Sequence, residues 1–408
     1  MKTRISRWME LVRTGFWFVP TAMLVVSAGF AILLLHVDER VDPGLTETLS
    51  WAYSGGAEGA RSLLSTVAGS MITAASVTFS LASVALSIAS QQYGSRVLRN
   101  FMRDRITQVL LGTFVATFVY CVLVVRTIRG SNYGGGFVPS VSVTVAIGLS
   151  LVSLVMLIYF IHHVSSSIQA SHIIRVIAEE IESAIPKLYP SEAGDPLRSS
   201  EQLLEMRSKG TAAVAVEKSG YLQSIDLGVL MKIAVEHDLI ANVLVKPGDH
   251  LLAGTSVAEL WGAQPVSLKS MHTLIDAFYI GRERTPAQDI RYQFQQLTDV
   301  IVRALSPGIN DPFTAINGID ELASAIQLLT RRAKVQEQRR DDSGALRLIV
   351  PTASVGEILE QTVEHIAVYA KDDSFVMTRL RRALDSTTRN LPDPEDAARA
   401  ERLKRHVN

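Results

Sequence analysis

Four long apolar segments in the first 165 residues constrain this chain more than any other feature of its sequence. Each is close to the roughly 20 residues that a helix needs to cross about 30 Å of hydrocarbon. They run from about Phe16 to Leu35, Leu63 to Ala89, Val109 to Val125 and Val138 to Ile161. The segments therefore predict a transmembrane domain of four helices over residues 1–165.

The basic residues beside these segments predict the orientation of the protein in the membrane. Four of them precede the first segment and four lie in the second loop, whereas the first and third loops carry two each. Cytoplasmic loops retain an excess of Lys and Arg. We therefore expect both termini, and everything after Ile161, to lie in the cytoplasm.

Composition excludes several function classes. The 40 basic and 40 acidic residues balance, so no overall field favours nucleic acid as a partner. The lone cysteine, Cys121, excludes an internal disulfide and a cysteine-based zinc cluster. The sequence also has no glycine-rich phosphate loop and no Gly-x-Ser-x-Gly nucleophile turn. We therefore expect no enzyme activity, no cofactor and no metal.

The rest of the chain predicts a cytosolic α+β region, so the fold class is an α-helical integral membrane protein with such a region attached. Apolar residues at helical spacing follow the fourth segment, and short β-like runs begin near Ala212. We expect an amphipathic helical connector over 166–205, a small β-module over 212–262, a helical region over 263–330, a linker over 331–345, a strand plus two helices over 346–390, and a disordered tail over 391–408.

The β-module carries a recognisable pattern. Its stretches SGYLQSID and DLIANVLVKPGDHLLAGTSVAEL are similar to the two half-motifs of a barrel-sandwich hybrid, the fold of lipoyl and biotinyl domains. Lys246 precedes Pro247 in a turn and does not stand at the hairpin tip where an attachment lysine would lie. The resemblance therefore implies a small β-barrel-like module that serves assembly and carries no lipoyl group.

The second apolar segment has two small-residue stripes. Hydroxyl residues recur every three or four positions, which keeps them on one side of a helix: Thr66, Ser70, Thr73, Ser76, Ser80, Ser83, Ser87 and Ser90. About 200° around the same helix lies a purely apolar stripe: Ala68, Ala75, Ala82, Ala85 and Ala89. No residue from Ser62 to Ser95 is charged.

Two interpretations of the hydroxyl stripe stay open. Small residues let helices approach closely and their hydroxyls can bond to their own helix, which makes the stripe a packing surface. Alternatively, the alanines face the protein's own helices and the hydroxyls line a path for an ion or small solute. One stripe cannot enclose a pore, so this reading needs a homo-oligomer, with Arg96 at the inner mouth. The alternative function is a non-conducting scaffold or sensor whose cytosolic region binds partners.

Three stretches resemble one family of bacterial predicted membrane proteins, designated domain of unknown function 2254. They are QQYGSRVLRNFMRDRITQVLLGTFVATFVY, RERTPAQDIRYQFQQLTDVIVRALSPGINDPFTAINGIDEL and SVGEILEQTVEHIAVYAKDD. The resemblance implies a multi-pass protein of the bacterial inner (plasma) membrane with a cytosolic domain. It implies no catalytic residue.

Two turns within the second stretch carry polar residues that could bind a ligand. In SPGINDP, Asp311 can cap the helix that Pro312 begins, and Gly308 can supply unusual backbone angles. Asn310 and Asp311 could instead bind a ligand or a cation. In RERTPAQD, Arg284 and Asp289 similarly suggest a helix start with an ion pair.

Overall fold

The computed structural model describes residues 17–40, 53, 56–93, 105–130, 136–167, 169–189, 211–263, 265–332, 337–389 and 391–407. The chain divides into two compact units, Met1–Gln169 and Ala170–Asn408. The boundary lies close to the end of the predicted transmembrane domain at residue 165.

The described residues of the first unit include four helices that are long and apolar enough to cross a membrane, which confirms the four predicted spans. They are α1 (Phe18–Asp38), α2 (Ala57–Tyr93), α3 (Arg105–Thr127) and α4 (Ser140–Ser167). The chain is therefore a membrane protein.

Helix α3 lies at the centre of this unit and packs against the other three helices. Over half of its most apolar stretch, 56%, is buried inside the unit, against 11, 17 and 22% for α1, α2 and α4. Close approach of α1 depends on Gly112, where any side chain would meet Met23 and Pro20. The outer surfaces of α1 and α4 instead expose large aliphatic residues such as Val26, Leu33 and Val155, as expected of helices that face lipid.

Hydrogen bonds around a buried carboxylate join helices α1, α3 and α4. Asp38, at the end of α1, accepts hydrogen bonds from the backbone N–H groups of Val141 and Ser142, both at 2.9 Å, and from the Ser142 hydroxyl at 2.5 Å. The Tyr120 hydroxyl of α3 donates to the Ser142 carbonyl at 2.9 Å. Asp38 thus satisfies N–H groups that the first turn of α4 would otherwise leave without partners.

The described part of the second unit contains two open sheets. Its strands are β1 (Thr211–Ala215), β2 (Gly220–Ile225), β3 (Ile240–Val243), β4 (His250–Leu251), β5 (Ser256–Trp261), β6 (Phe278–Gly281), β7 (Gln338–Arg340) and β8 (Leu346–Ile349). One sheet has the order β1-β5-β3-β8-β7 and is antiparallel apart from the β3–β8 pair, and the other has the order β4-β2-β6 and is antiparallel.

This arrangement corrects the prediction of a barrel-like module over 212–262. The sheets do not close, and each recruits strands from outside that range. Strand β6 pairs with β2, and β8 adds in parallel beside β3. The local motif did not reveal this because the partner strands lie up to about a hundred residues further along the chain. The sheets share an apolar core that includes Leu222, Leu230, Val257 and Leu348, all fully buried.

The helices of the second unit are α5 (Ala170–Leu188), α6 (Leu227–Glu236), α7 (Leu268–Asp276), α8 (Ile290–Ala304), α9 (Pro312–Thr330), α10 (Val355–Ala370), α11 (Ser374–Thr388) and α12 (Pro394–Val407). The predicted connector forms α5, whose apolar face of Ile173, Ile177, Ile181 and Ile185 is buried against α8 and α9. Helix α5 therefore belongs to the core of this unit and is more than a connector.

Two segments expected to lack structure contain a helix or a strand in their described residues. The tail predicted to be disordered forms α12, because Ala400, Leu403 and Val407 recur at helical spacing and are buried beside α10 and α11. The predicted linker over 331–345 contains β7, which pairs with β8. Asp341 stabilises the turn between them by accepting hydrogen bonds from Arg347 and from two backbone N–H groups. Overall polar composition does not reveal the apolar spacing in α12 or the pairing of β7 with β8.

Candidate pore-lining face and loop cluster

One face of α2 is buried against the other helices of its unit. Ala75 and Ala82 share an apolar cluster with Leu110 and Phe114 of α3 and Phe160 of α4. Small side chains allow the helix backbones to approach closely. The members of the predicted alanine stripe with at most 8% of their surface exposed are Ala68, Ala75, Ala82 and Ala85.

The opposite face of α2 carries the hydroxyl residues and is open. Seven of them are exposed and the last is half-buried: Thr66, Ser70, Thr73, Ser76, Ser80, Ser83, Ser87 and Ser90. Large aliphatic side chains flank the stripe, among them Val77, Leu81 and Val84, each about half exposed. The first unit therefore leaves a continuous hydroxyl row on its surface while it buries the alanines.

Most of these hydroxyls donate a hydrogen bond to the carbonyl one turn earlier in α2. The distances from oxygen to oxygen are 2.8 Å for Thr66 and Ser70 and 2.9 Å for Thr73, Ser76 and Ser83. Each such group keeps oxygen lone pairs free on its outer side. The row can therefore accept hydrogen bonds from water or solutes, and it can also sit in a dry environment without an unpaired donor.

Another polar group of α2, which the stripe pattern did not identify, lies on the buried face. Thr78 is fully buried between Ala75 and Ala82 in the sequence, and its hydroxyl has no hydrogen-bond partner among the described residues. The predicted mouth residue, Arg96, lies outside the described residues.

The carboxylate of the SPGINDP turn, Asp311, accepts hydrogen bonds from the chain itself. Asp311 caps α9: its Oδ1 accepts from the backbone N–H of Thr314 at 3.1 Å and its Oδ2 from the Thr314 hydroxyl at 2.6 Å. These bonds hold the pKa of Asp311 below its ordinary value. The left-handed backbone angle falls on Asn310, with φ of +48°, and not on Gly308, where we expected it.

The RERTPAQD turn forms a buried ion pair. Asp289 is 2% exposed and caps α8 by accepting from the backbone N–H of Tyr292 at 3.0 Å. Arg284 donates to the same carboxylate through Nε at 2.8 Å, and its Nη1 donates to Gln295 at 2.9 Å. Burial raises the pKa of Asp289, and Arg284 opposes that rise.

The Lys-Pro-Gly-Asp turn packs directly onto this ion pair. Gly248 has a φ of +96° and lies so close to Asp289 that no side chain fits there. Arg291 donates to Asp249 at 2.8 Å, and Lys246 reaches both carboxylate oxygens of Glu357 at 2.9 Å. The turn is thereby joined to the starts of α8 and α10.

The four loop candidates do not form one site. Arg284 and Asp289 lie at the start of α8, whereas Asn310 and Asp311 follow its end. At 1.5 Å per residue, the 15 residues of α8 separate the two pairs by about 22 Å. Asp289 of the first pair instead lines a cleft, together with basic residues that the sequence did not single out: Lys187, Arg291 and Arg339. No local signal identifies them, since they come from distant segments.

Comparison with known proteins gives relatives without a described activity. A family model described as "Predicted membrane protein (DUF2254)" matches residues 13–386. The chain is 31% identical over 401 residues to the uncharacterized proteins Mb1321c of Mycobacterium bovis and Rv1290c of Mycobacterium tuberculosis, covering 97% of this chain and 75% of each relative. No solved structure matches the chain.

Proposed function

We propose that this chain, which belongs to the DUF2254 family of predicted membrane proteins, assembles into a homo-oligomeric channel-like pore in the bacterial inner membrane. The hydroxyl face of α2 lines the path of an ion or small solute. Both termini, and the second unit with them, lie in the cytoplasm, as the distribution of basic residues favours.

One observation carries this proposal: the small apolar face of α2 is buried within a single copy, whereas the hydroxyl face is left exposed from Thr66 to Ser87. From Thr66 to Ser90 the row covers 24 steps, or about 36 Å at 1.5 Å per residue. That length exceeds the roughly 30 Å of hydrocarbon in a bilayer. The row therefore offers hydrogen-bonding oxygens at every depth of the membrane.

Several copies are needed because one helix presents only one side of a channel. Closed rotational symmetry is the common arrangement of identical subunits, and it would turn eight hydroxyl positions into eight stacked rings. No charged residue lies between Ser62 and Ser95. Such a path is lined by neutral groups that can hydrate a solute without holding it tightly.

A second candidate function is a non-conducting scaffold or sensor, and it has its own supporting observation. The hydroxyls that donate to their own helix need no water, so the same face can pack against lipid or against α2 of another copy. In that case the second unit would act by binding partners.

Water accessibility of α2 distinguishes the two candidates. Single cysteines at Ser76 and Ser83 would be compared with cysteines at their neighbours Val77 and Val84 in the full chain in sealed vesicles. All four positions are exposed in a single copy, so this is a matched set. The native Cys121 is buried, which keeps the background low.

A charged thiol reagent reacts with a thiolate, and a thiol in a dry environment forms little thiolate. If the stripe lines a water path, cysteines at 76 and 83 react at least about ten times faster than those at 77 and 84. Equal and slow reaction at all four positions would contradict the pore and favour the scaffold.

A further inference from the structure

A cleft of about 250 Å³ lies in the second unit beside the Lys-Pro-Gly-Asp turn. Its lining comes from the end of α5, the end of β2 and the start of α6, the Lys-Pro-Gly-Asp turn, the start of α8, strand β7 and residues 350–353. Its apolar lining residues, called the apolar wall below, include Leu188, Ile225, Leu227 and Val350. The cleft is thus small, and its apolar lining suits an organic group.

The polar part of the cleft is strongly basic. Its lining includes Lys187, Lys246, Arg291 and Arg339, but only one acidic residue, Asp289. That carboxylate is already held by Arg284, which lies behind it. The charged groups that line the cleft therefore sum to three positive charges.

Two of the four basic side chains form ion pairs with carboxylates of the chain, and two do not within the described residues. Lys246 pairs with Glu357 and Arg291 pairs with Asp249. Within the described part of the chain, Lys187 and Arg339 have no ion-pair partner. The cleft therefore has two positive charges that its own residues leave uncompensated.

Arg339 is in an unusual position for a free arginine. Its Nε is buried and has no hydrogen-bond acceptor among the described residues. Desolvation lowers the pKa of its guanidinium. A buried charged donor without an acceptor destabilises a fold, and such groups usually find their acceptor in a ligand, an ion or a water molecule.

We propose that this cleft binds a small organic phosphate monoester, with the phosphate on Arg339 and Lys187 and the organic group against the apolar wall. The planar fork of arginine matches phosphate oxygens in pairs, and a lysine adds a point charge. A doubly charged phosphate matches the two uncompensated cations better than a carboxylate with one charge does. The volume restricts the ligand to a small metabolite.

The test uses the purified full chain in nanodiscs of neutral lipid, with calorimetry at constant ionic strength. The probes are inorganic phosphate, glycerol 3-phosphate and adenosine monophosphate, with glycerol and adenosine as uncharged counterparts. We expect the phosphate monoesters to bind and the uncharged compounds not to bind. A parallel arm replaces part of the neutral lipid with phosphatidate: if the ligand is a lipid headgroup, this lipid blocks binding of the soluble phosphates.

Variants locate the binding. Arg339→Gln should weaken the affinity for the best phosphate monoester at least about tenfold. Its strand neighbour gives the matched control: Arg340 donates to the Gly344 carbonyl and does not line the cleft, so Arg340→Gln should keep the affinity within about twofold. Lys187 is exposed at the end of α5, so Lys187→Gln tests the site without risk to the fold.

Removing the unpaired charge gives a readout that a purely structural arginine would not give. Arg339→Met should raise the melting temperature of the ligand-free protein and abolish its further stabilisation by phosphate monoesters. The proposal is overturned if none of the phosphates binds, if glycerol or adenosine binds equally well, or if Arg339→Gln and Arg340→Gln have equal effects.

Discussion

Replacing Ser80 with leucine separates a water path from a packing surface, because Ser80 lies near the middle of the exposed row of α2. In a pore, each subunit contributes one leucine to a single ring. A narrow apolar ring expels water and stops ions. The side chain points away from the helices of its own unit, so folding and assembly should be unaffected. We expect loss of flux to the level of empty liposomes, with an unchanged melting temperature.

The opposite face of α2 provides the control variant. Ala82 is 8% exposed and packs in the cluster formed by Leu110, Phe114 and Phe160. Three extra carbons there overpack a tight interface, which costs about 1–3 kcal/mol and, for a unit of this size, about 2–12 °C in melting temperature. Ala82→Leu should therefore destabilise the protein where Ser80→Leu does not. Val77→Leu, on the exposed aliphatic flank, should change neither property.

The assay is ion flux through the purified protein in liposomes, combined with thermal unfolding of each variant. Loss of flux at normal stability for Ser80→Leu alone supports the assignment of the faces. If Ser80→Leu lowers the melting temperature as much as Ala82→Leu does, the hydroxyl face is a packing surface. Absence of flux from the unmodified protein at every voltage, pH and membrane tension tested would remove the support for a pore.

Three further predictions concern groups whose bonds the structure defines. Asp38→Ala should destabilise the first unit by about 1–3 kcal/mol, because it leaves buried N–H groups at the start of α4 without acceptors; Glu39→Ala, at the exposed neighbouring position, should have little effect on thermal unfolding. Gly248→Ala should lower the melting temperature more than Gly254→Ala, because both positions have positive φ but only the first leaves no space for a side chain; equal shifts would argue against the packing described for that turn. Asp311→Ala should cost about 1 kcal/mol as a lost helix cap. Because the folded-state pKa of Asp311 is lowered, its contribution is complete above the unfolded value of about 3.9 and is lost as the pH falls through the folded value. The difference between wild type and variant in urea unfolding should therefore shrink at acid pH, and a constant difference would refute the cap.

Much of the membrane unit could be predicted from the sequence, since its signals are local. A run of about 20 apolar residues specifies a spanning helix by itself. The spacing of small residues in α2 likewise predicts two faces, because helix geometry alone decides which side chains share a side. The helix caps at Asp289 and Asp311 depend on residues only three positions away.

The second unit was predicted less well because its signals are distant. The half-motifs near Lys246 suggested a closed module, yet β3 pairs with β8 about a hundred residues later and β2 pairs with β6. Strand pairing over such separations leaves no periodicity in the local sequence. The tail looked disordered because its composition is polar, although Ala400, Leu403 and Val407 recur at helical spacing and are buried in α12.

The sequence by itself determined the four spans, the uncharged hydroxyl row and the helix starts, because each depends on residues within one or two turns of one another. Only the tertiary structure decided which face of α2 is buried, since that depends on the packing of α3 and α4 against the alanines. It also brought Lys187 and Arg339 to one cleft across about 150 residues of chain. The burial of Arg339 Nε and its lack of an acceptor among the described residues are properties of that packing, and no spacing in the sequence encodes them.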